Sequence, residues 1–223
     1  MIFAFDDDAS KERLHIRGEL YKYLIKVRRH QAGDKIAFRR REDSKILYTY
    51  VLEDVGAREA VALLEYSCVN EVKSHKNLHI GWCIVDANSI EKVLPSLCEI
   101  GVAKITFIYC ERSQRNFKLD FKRFDRIQEA AMQQCGRSSY IEFEEAKNVK
   151  EFIAKYPNTN VLDFCERVFE NSQEIENVLI GCEGGFSSKE RELFKTTNVF
   201  RLDTPMVLRS ESAVMAIASK ILL

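Results

Sequence analysis

Between residues 178 and 190 the chain reads VLIGCEGGFSSKE: an apolar run, glycines at 181, 184 and 185, then Ser187 and Glu190 at the spacing of a capping box. Glycine lets a backbone approach a partner closely. A helix starting just after such a turn aims its first amides at an anion or a ligand carboxylate. Two phosphate motifs fail on spacing: the pattern is GxxGG rather than GxGxxG, and no Lys-Ser or Lys-Thr follows as in GxxxxGK[ST]. On glycine spacing alone, a merely tight strand-to-helix turn is the slightly better reading. The seven cysteines (68, 83, 98, 110, 135, 165, 182) contain no CxxC pair. An odd, scattered set argues against structural disulfides and zinc, and for a reducing, cytoplasmic compartment.

The elements that position this turn follow from the apolar pattern. From residue 78 onward, strand-like runs LHIGWCIV, KITFIY, NVLDF, VLIG and VFRL alternate with helical ones. Asn88 and Glu91 form a possible capping box for a helix through SIEKVLPSLCEIG, and FKRFDRIQEAAMQQCG is the next helix, ending at Gly136. Such alternation predicts a parallel sheet covered on both faces, with ligands bound beyond the carboxyl ends of the strands, where the glycines lie. The last helix, RSESAVMAIASKILL, carries Val214, Ile217, Ala218, Ile221 and Leu222 as one apolar stripe, facing either its own sheet or another subunit. Residues 14–66 instead give short runs, LYKYLIKV, GDKIAFRR, KILYTYVLE and AVALLEYSCV, with a turn at Gly33-Asp34. They predict a small β-barrel. The polar NEVKSHKN reads as a linker, giving domains at 1–70 and 71–223.

The 34 basic and 34 acidic residues cancel, so nothing global announces a polyanionic partner. Residues 11–45 differ, with twelve Lys/Arg, Arg28 and Arg29 among them, against five acids. A local excess of that size can neutralise several phosphates, or can simply be a solvated basic face. No apolar run reaches the roughly 20 residues needed to span a bilayer. The acidic start MIFAFDDDASKERLH is unlike a secretion signal.

IGCEGGFSSKE, followed by PMVLRSESAVMAI, resembles the C-terminal signature of the SPOUT-class RNA methyltransferases, and within them the RsmE family, which methylates N3 of a uridine in bacterial small-subunit ribosomal RNA. The family pattern IGPEGGFS..E is matched by Ile180, Gly181, Glu183, Gly184, Gly185, Phe186, Ser187 and Glu190. Val207, Leu208, Arg209, Glu211 and Ala213 fit LG.RILR.ETA. SLCEIGVAKI, CERS, EAAMQQCGR and YLIKVRRHQAGDKI resemble further family segments in the same order, so the likeness spans nearly the whole chain. Departures are Cys182 for Pro, Thr204 and Met206 for Gly and Arg, Tyr23 for His, Arg28 for Leu, and Asp86 and Ser96 for basic residues.

The resemblance implies an α/β protein: a small PUA-like β-barrel followed by a SPOUT-type parallel α/β domain with a C-terminal trefoil knot. It implies S-adenosylmethionine (SAM) held by backbone groups of residues 162–165, 180–185 and 202–208. The residues implied are Leu162, Ile180, Gly181, Glu183, Gly184, Gly185, Leu202, Val207 and Leu208. Arg209, at the end of the cofactor loop, is the candidate for steadying the anion formed when N3 loses its proton or for orienting the base. Glu211 is a proton acceptor or, equally, a carboxylate suited to a helix start. Arg112 and Arg137 join Arg28 and Arg29 as implied RNA contacts. The partners implied are 16S rRNA or the small ribosomal subunit and a second copy of the chain, with no membrane and no metal. The alternatives are a SPOUT ribose 2′-O-methyltransferase and a catalytically silent ribosome assembly factor.

Overall fold

The computed structural model describes residues 2–114, 118–170 and 174–223. The chain divides into two compact units: Met1–Lys73 with Met132–Ser139, and Ser74–Ala131 with Tyr140–Leu223.

The first unit is built on a curled five-stranded sheet, a half-barrel, of order β1-β3-β4-β5-β2. Its strands are β1 (Ala4–Phe5), β2 (Arg13–Arg17), β3 (Lys35–Arg39), β4 (Ile46–Val55) and β5 (Glu59–Val69). All pairings are antiparallel except β1 with β3. In β2 the period of two is plain: Leu14 and Ile16 are buried while Arg13, His15 and Arg17 face water. Register shifts at Thr49/Tyr50 and Leu52/Asp54 bend the long β4–β5 hairpin. Leu14, Ile16, Ile36, Phe38, Tyr50 and Leu52 fill the concave side.

Within this unit LYKYLIKV is not a strand. It forms α1 (Gly18–Tyr21) continuing into a π-helical turn, Lys22–Val27. The buried residues Tyr21, Leu24 and Ile25 are spaced by three and four, a helical face that its aromatic and β-branched content disguised. Nor does Gly33-Asp34 join two strands: it closes the turn before β3, with the Asp34 amide donating to Gln31 O at 3.0 Å and Gly33 at φ 93°.

The second unit carries a six-stranded, wholly parallel sheet of order β11-β9-β10-β6-β7-β8. These strands are β6 (His79–Cys83), β7 (Lys104–Ile108), β8 (Glu142–Ala146), β9 (Asn160–Leu162), β10 (Asn177–Ile180) and β11 (Asn198–Phe200). The helices are α2 (Ala87–Ile100), α3 (Phe121–Cys135, whose last turn from Met132 belongs to the first unit), α4 (Val149–Lys155), α5 (Ser188–Glu192) and α6 (Ser210–Leu222). Every residue of β6 is buried, as expected of a central strand covered on both faces.

α2 begins at Asp86 rather than at Asn88: the Asp86 carboxylate accepts from the Ser89 amide at 3.0 Å. α2 stops at Gly101 with φ 106°, and α3 ends ahead of Gly136 with φ 87°, as the glycines predicted. β8, EFEEA, is an edge strand whose acids obscured any apolar alternation. α6 lays Val214, Ile217, Ala218 and Ile221 into its own unit, against α2 and β10.

Candidate active site

The carboxyl ends of β9, β10 and β11 open into a cavity of about 510 Å³. Its walls are three loops. Leu162 ends β9 and Asp163 and Phe164 follow it; Ile180 ends β10 and Gly181 to Phe186 follow it; Arg201, Leu202, Thr204 and Met206 to Arg209 follow β11. Every residue that the resemblance assigned to cofactor binding lines it: Leu162, Ile180, Gly181, Glu183, Gly184, Gly185, Leu202, Val207 and Leu208. Arg209 and Arg112 line it too. Glu211 does not. Arg28, Arg29 and Arg137 belong to the other unit.

The β10 loop turns on a bond from the Gly185 amide to Cys182 O at 2.9 Å, with Gly185 at φ 62°, a conformation that penalises any Cβ. The expected capping box is present: Ser187 Oγ accepts from the Glu190 amide at 3.2 Å, and Glu190 Oε2 from the Ser187 amide at 2.9 Å. Glu190 is nearly inaccessible, and its other oxygen accepts from the Glu111 amide at 2.9 Å. Arg112 donates to Gly184 O at 2.7 Å, and a Cβ on Gly184 would meet the Arg112 side chain at 3.3 Å. The loop after β7 therefore clamps the glycine loop from behind.

Two further ties hold the walls. Trp82 Nε1 donates to Ser210 Oγ at 2.8 Å, and that hydroxyl donates to Gly181 O at 2.5 Å, fixing the start of α6 to the end of β10. Arg191 donates twice to Asp163, at 2.7 and 3.0 Å, fixing α5 to the end of β9. Sequence reasoning missed both, because partners 128 and 28 positions apart leave no local signal.

Arg209 is the N-cap residue of α6 and is exposed, and among the described residues its guanidinium makes no hydrogen bond or ion pair. Glu211 lies in the first turn of α6, where a carboxylate is favoured by the helix dipole, and its Oε2 is buried without a hydrogen-bond partner. The cavity rim is apolar yet exposed: Phe164 at 71%, Met206 at 66% and Val207 at 78%. A rim of that kind favours a ligand or a partner surface that covers it.

In the first unit Arg28 is exposed; its Nε and one terminal nitrogen donate to Tyr23 Oη at 3.1 and 2.8 Å, and it lies over the Tyr23 ring. Arg29 is exposed and stands at φ 63°, alone among the described non-glycine residues in the left-handed region. Arg137 is buried, its Nε donating to Ser139 O at 2.5 Å, so this guanidinium serves the chain's own backbone.

Parallel strands, a loop-walled cavity at their carboxyl ends and a glycine cradle define a nucleotide-type ligand site on an α/β scaffold. Residues 72–222 match the family model described as an RNA methyltransferase domain. The chain is 36% identical to "Ribosomal RNA small subunit methyltransferase E" of Helicobacter pylori strain 26695, over 98% of each chain. Its fold is that of a Neisseria gonorrhoeae ribosomal RNA small subunit methyltransferase E solved with bound S-adenosyl methionine (TM-score 0.78, 16% identity, 98% of this chain and 95% of that one). A Legionella pneumophila protein solved in complex with SAM is similar in the same way (TM-score 0.77, 22% identity, 98% and 94% coverage). The chain belongs to the RNA methyltransferase domain family and, within it, to the family of ribosomal RNA small subunit methyltransferase E, RsmE.

Proposed function

We propose that the protein is a SAM-dependent methyltransferase acting on N3 of one uridine in small-subunit (16S) ribosomal RNA. The observation that carries this reading is the convergence of the glycine loop, the residues after β9 and those after β11 on a single cavity. The fit to SAM rests on the cavity itself. Its glycines admit a ligand close to the backbone, and Leu162, Ile180, Leu202 and Val207 offer apolar contact to an adenosyl group.

Bound there, SAM supplies an electrophilic methyl group on a sulfonium. The chain's own residues supply the rest. A uridine must leave its stack before its N3 is reachable. Loss of the N3 proton spreads negative charge over the flanking carbonyl oxygens, and the unpaired Arg209 guanidinium at the cavity wall is the group suited to hold that charge. Glu211 stands outside the cavity lining, so it takes the proton only through water, or serves instead as the carboxylate that favours the start of α6. Arg112 holds the glycine loop and presents positive charge beside the cavity. Arg28 and Arg29 lie in the basic run that we assign to phosphate contacts, whereas buried Arg137 shapes its own turn.

The reading extends to a trefoil threading of the chain after β11. In its support, β11 lies beyond β9 at the sheet edge, while α6, only ten residues later, packs on β10 and α2. It extends also to a homodimer, for which the exposed rim at Phe164, Met206 and Val207 is a suitable contact, and to action in the cytoplasm. No helix among the described residues is long and apolar enough to cross a membrane.

The test is transfer of labelled methyl from SAM to undermethylated small ribosomal subunits, with nucleoside mass spectrometry of the product. One 3-methyluridine per subunit supports the reading. A 2′-O-methylated nucleoside would reassign the target atom, and no transfer without SAM binding would favour an assembly factor.

A further inference from the structure

The strands β10, β6 and β7 are neighbours, and each carries a cysteine at or just past its carboxyl end: Cys182, Cys83 and Cys110. The sulfurs of Cys110 and Cys182 lie 3.5 Å apart. Ser113 Oγ reaches the Cys110 sulfur at 3.0 Å. Chance burial of small apolar thiols does not require that two sulfurs and a hydroxyl converge. Hydrogen bonding between the Cys110 sulfur and Cys182 and Ser113 favours a Cys110 thiolate against the burial that opposes it, while Cys182 is pushed up. Cys182 also lines the cavity, which gives a small oxidant a route to the pair.

We infer that Cys110 and Cys182 form a reversible disulfide that switches the cavity out of its binding shape. The oxidant is a hydroperoxide. One sulfur of the pair attacks the O–O bond and becomes a sulfenic acid as water or an alcohol leaves. The other sulfur then attacks it, the S–S bond forms, and the hydroxyl departs with the remaining thiol proton as water. Two thiols lose two electrons and two protons, and the hydroperoxide takes both. Closing the contact from 3.5 Å to the roughly 2.05 Å of a disulfide draws the β10 loop toward the β7 loop. Cys182 lies between cavity-lining Gly181 and Gly184, and Arg112 is only two residues from Cys110, so the shift distorts the cradle. Transient, sensing disulfides are the usual kind in a reducing compartment. Cys182 occupies the position where the resembling glycine motif carries Pro.

This inference rests on the reading of the cavity as the SAM site. The experiment exposes the full chain to hydrogen peroxide, alkylates free thiols, maps peptides by mass spectrometry and measures SAM affinity by calorimetry. The expected result is a Cys110–Cys182 linked peptide, SAM affinity at least tenfold weaker, and reversal of both by dithiothreitol. In Cys110→Ser, peroxide leaves SAM affinity where it was. Alkylated, unlinked Cys110 and Cys182 after peroxide would overturn the inference, as would a linked pair with unchanged SAM affinity. If the reduced protein itself fails to bind SAM, the cofactor reading falls instead, and the peptide map alone decides whether the disulfide exists.

Discussion

The two ends of the parallel sheet are built on opposite plans. At the amino ends of the strands, polar side chains satisfy one another. His79 pairs with Asn177 Oδ1 at 2.9 Å and Thr106 Oγ1 at 2.8 Å, and its ring packs against Phe152 and Tyr156. Glu144 accepts from Lys104 at 2.8 Å, from Tyr156 at 2.7 Å, and from Lys155. The filling continues to the middle of β6, where a Cβ on Gly81 would sit 2.4 Å from the Phe152 ring. At the carboxyl ends the chain leaves a cavity, a free guanidinium, an orphaned carboxylate oxygen and exposed apolar side chains. One end spends its polar groups on stability, and the other keeps them for a ligand. The contrast teaches where in a single sheet a substitution should cost folding and where it should cost binding.

The sharpest way to break the contrast is pH. Burial lowers the His79 pKa to about 4, so the folded protein resists a proton that the unfolded chain accepts near 6.5. As pH falls below 6.5 the unfolded state binds more protons than the folded one, so stability drops, by about 3 kcal/mol in all, and levels off only once pH is well below 4. Urea unfolding at pH 7.5 and 4.5 measures the drop, and His79→Gln should flatten it while leaving SAM affinity at pH 7.5 unchanged. Glu144 adds a second, lower window. Burial opposes its charge, but Lys104, Lys155 and Tyr156 hold its pKa down to about 2. A His79 variant that lost SAM binding before it lost stability would break the division between the ends.

At the other end, Arg209→Ala should leave unfolding and SAM affinity unaltered and reduce single-turnover methyl transfer tenfold or more, about 1.4 kcal/mol of transition-state stabilisation. Near-normal turnover would remove Arg209 from the mechanism. Ser187→Ala tests a residue serving both purposes, since it caps α5 and ends the glycine loop. It should cost about 1 kcal/mol in urea unfolding and weaken SAM binding modestly. The smallest effect is expected in the first unit. Arg29→Gly removes one cation but relieves a left-handed backbone at φ 63°, so RNA affinity should lose about one unit of salt slope with no loss of stability.

Much of this division could be read in the sequence. Alternating apolar runs gave the parallel sheet, and the Ser187–Glu190 spacing gave the helix start behind the glycine turn. Gly101 and Gly136 marked helix ends because only glycine takes their positive φ cheaply. The failures have physical causes. In residues 20–27, aromatic and β-branched side chains suggested a strand, while tertiary packing of Tyr21, Leu24 and Ile25 favoured a helix. β8 hid behind its acids because an edge strand needs little apolar content. Asp86 outcompeted Asn88 as the cap of α2. The Trp82–Ser210–Gly181 chain and the Cys110–Cys182 contact join loops that only the folded sheet brings together. Sequence pattern names the loops; topology decides which of them touch.

The most direct test of the account is calorimetric titration of SAM into the wild-type protein and into Gly184→Leu, whose side chain would crowd the Arg112 clamp and the cavity wall. The account predicts one saturable site per chain in the wild type and at least a hundredfold weaker binding in the variant, with urea unfolding of the two nearly superimposed. Equal SAM affinity in both proteins would contradict it, because the cavity at the carboxyl ends would then not be where the methyl donor binds.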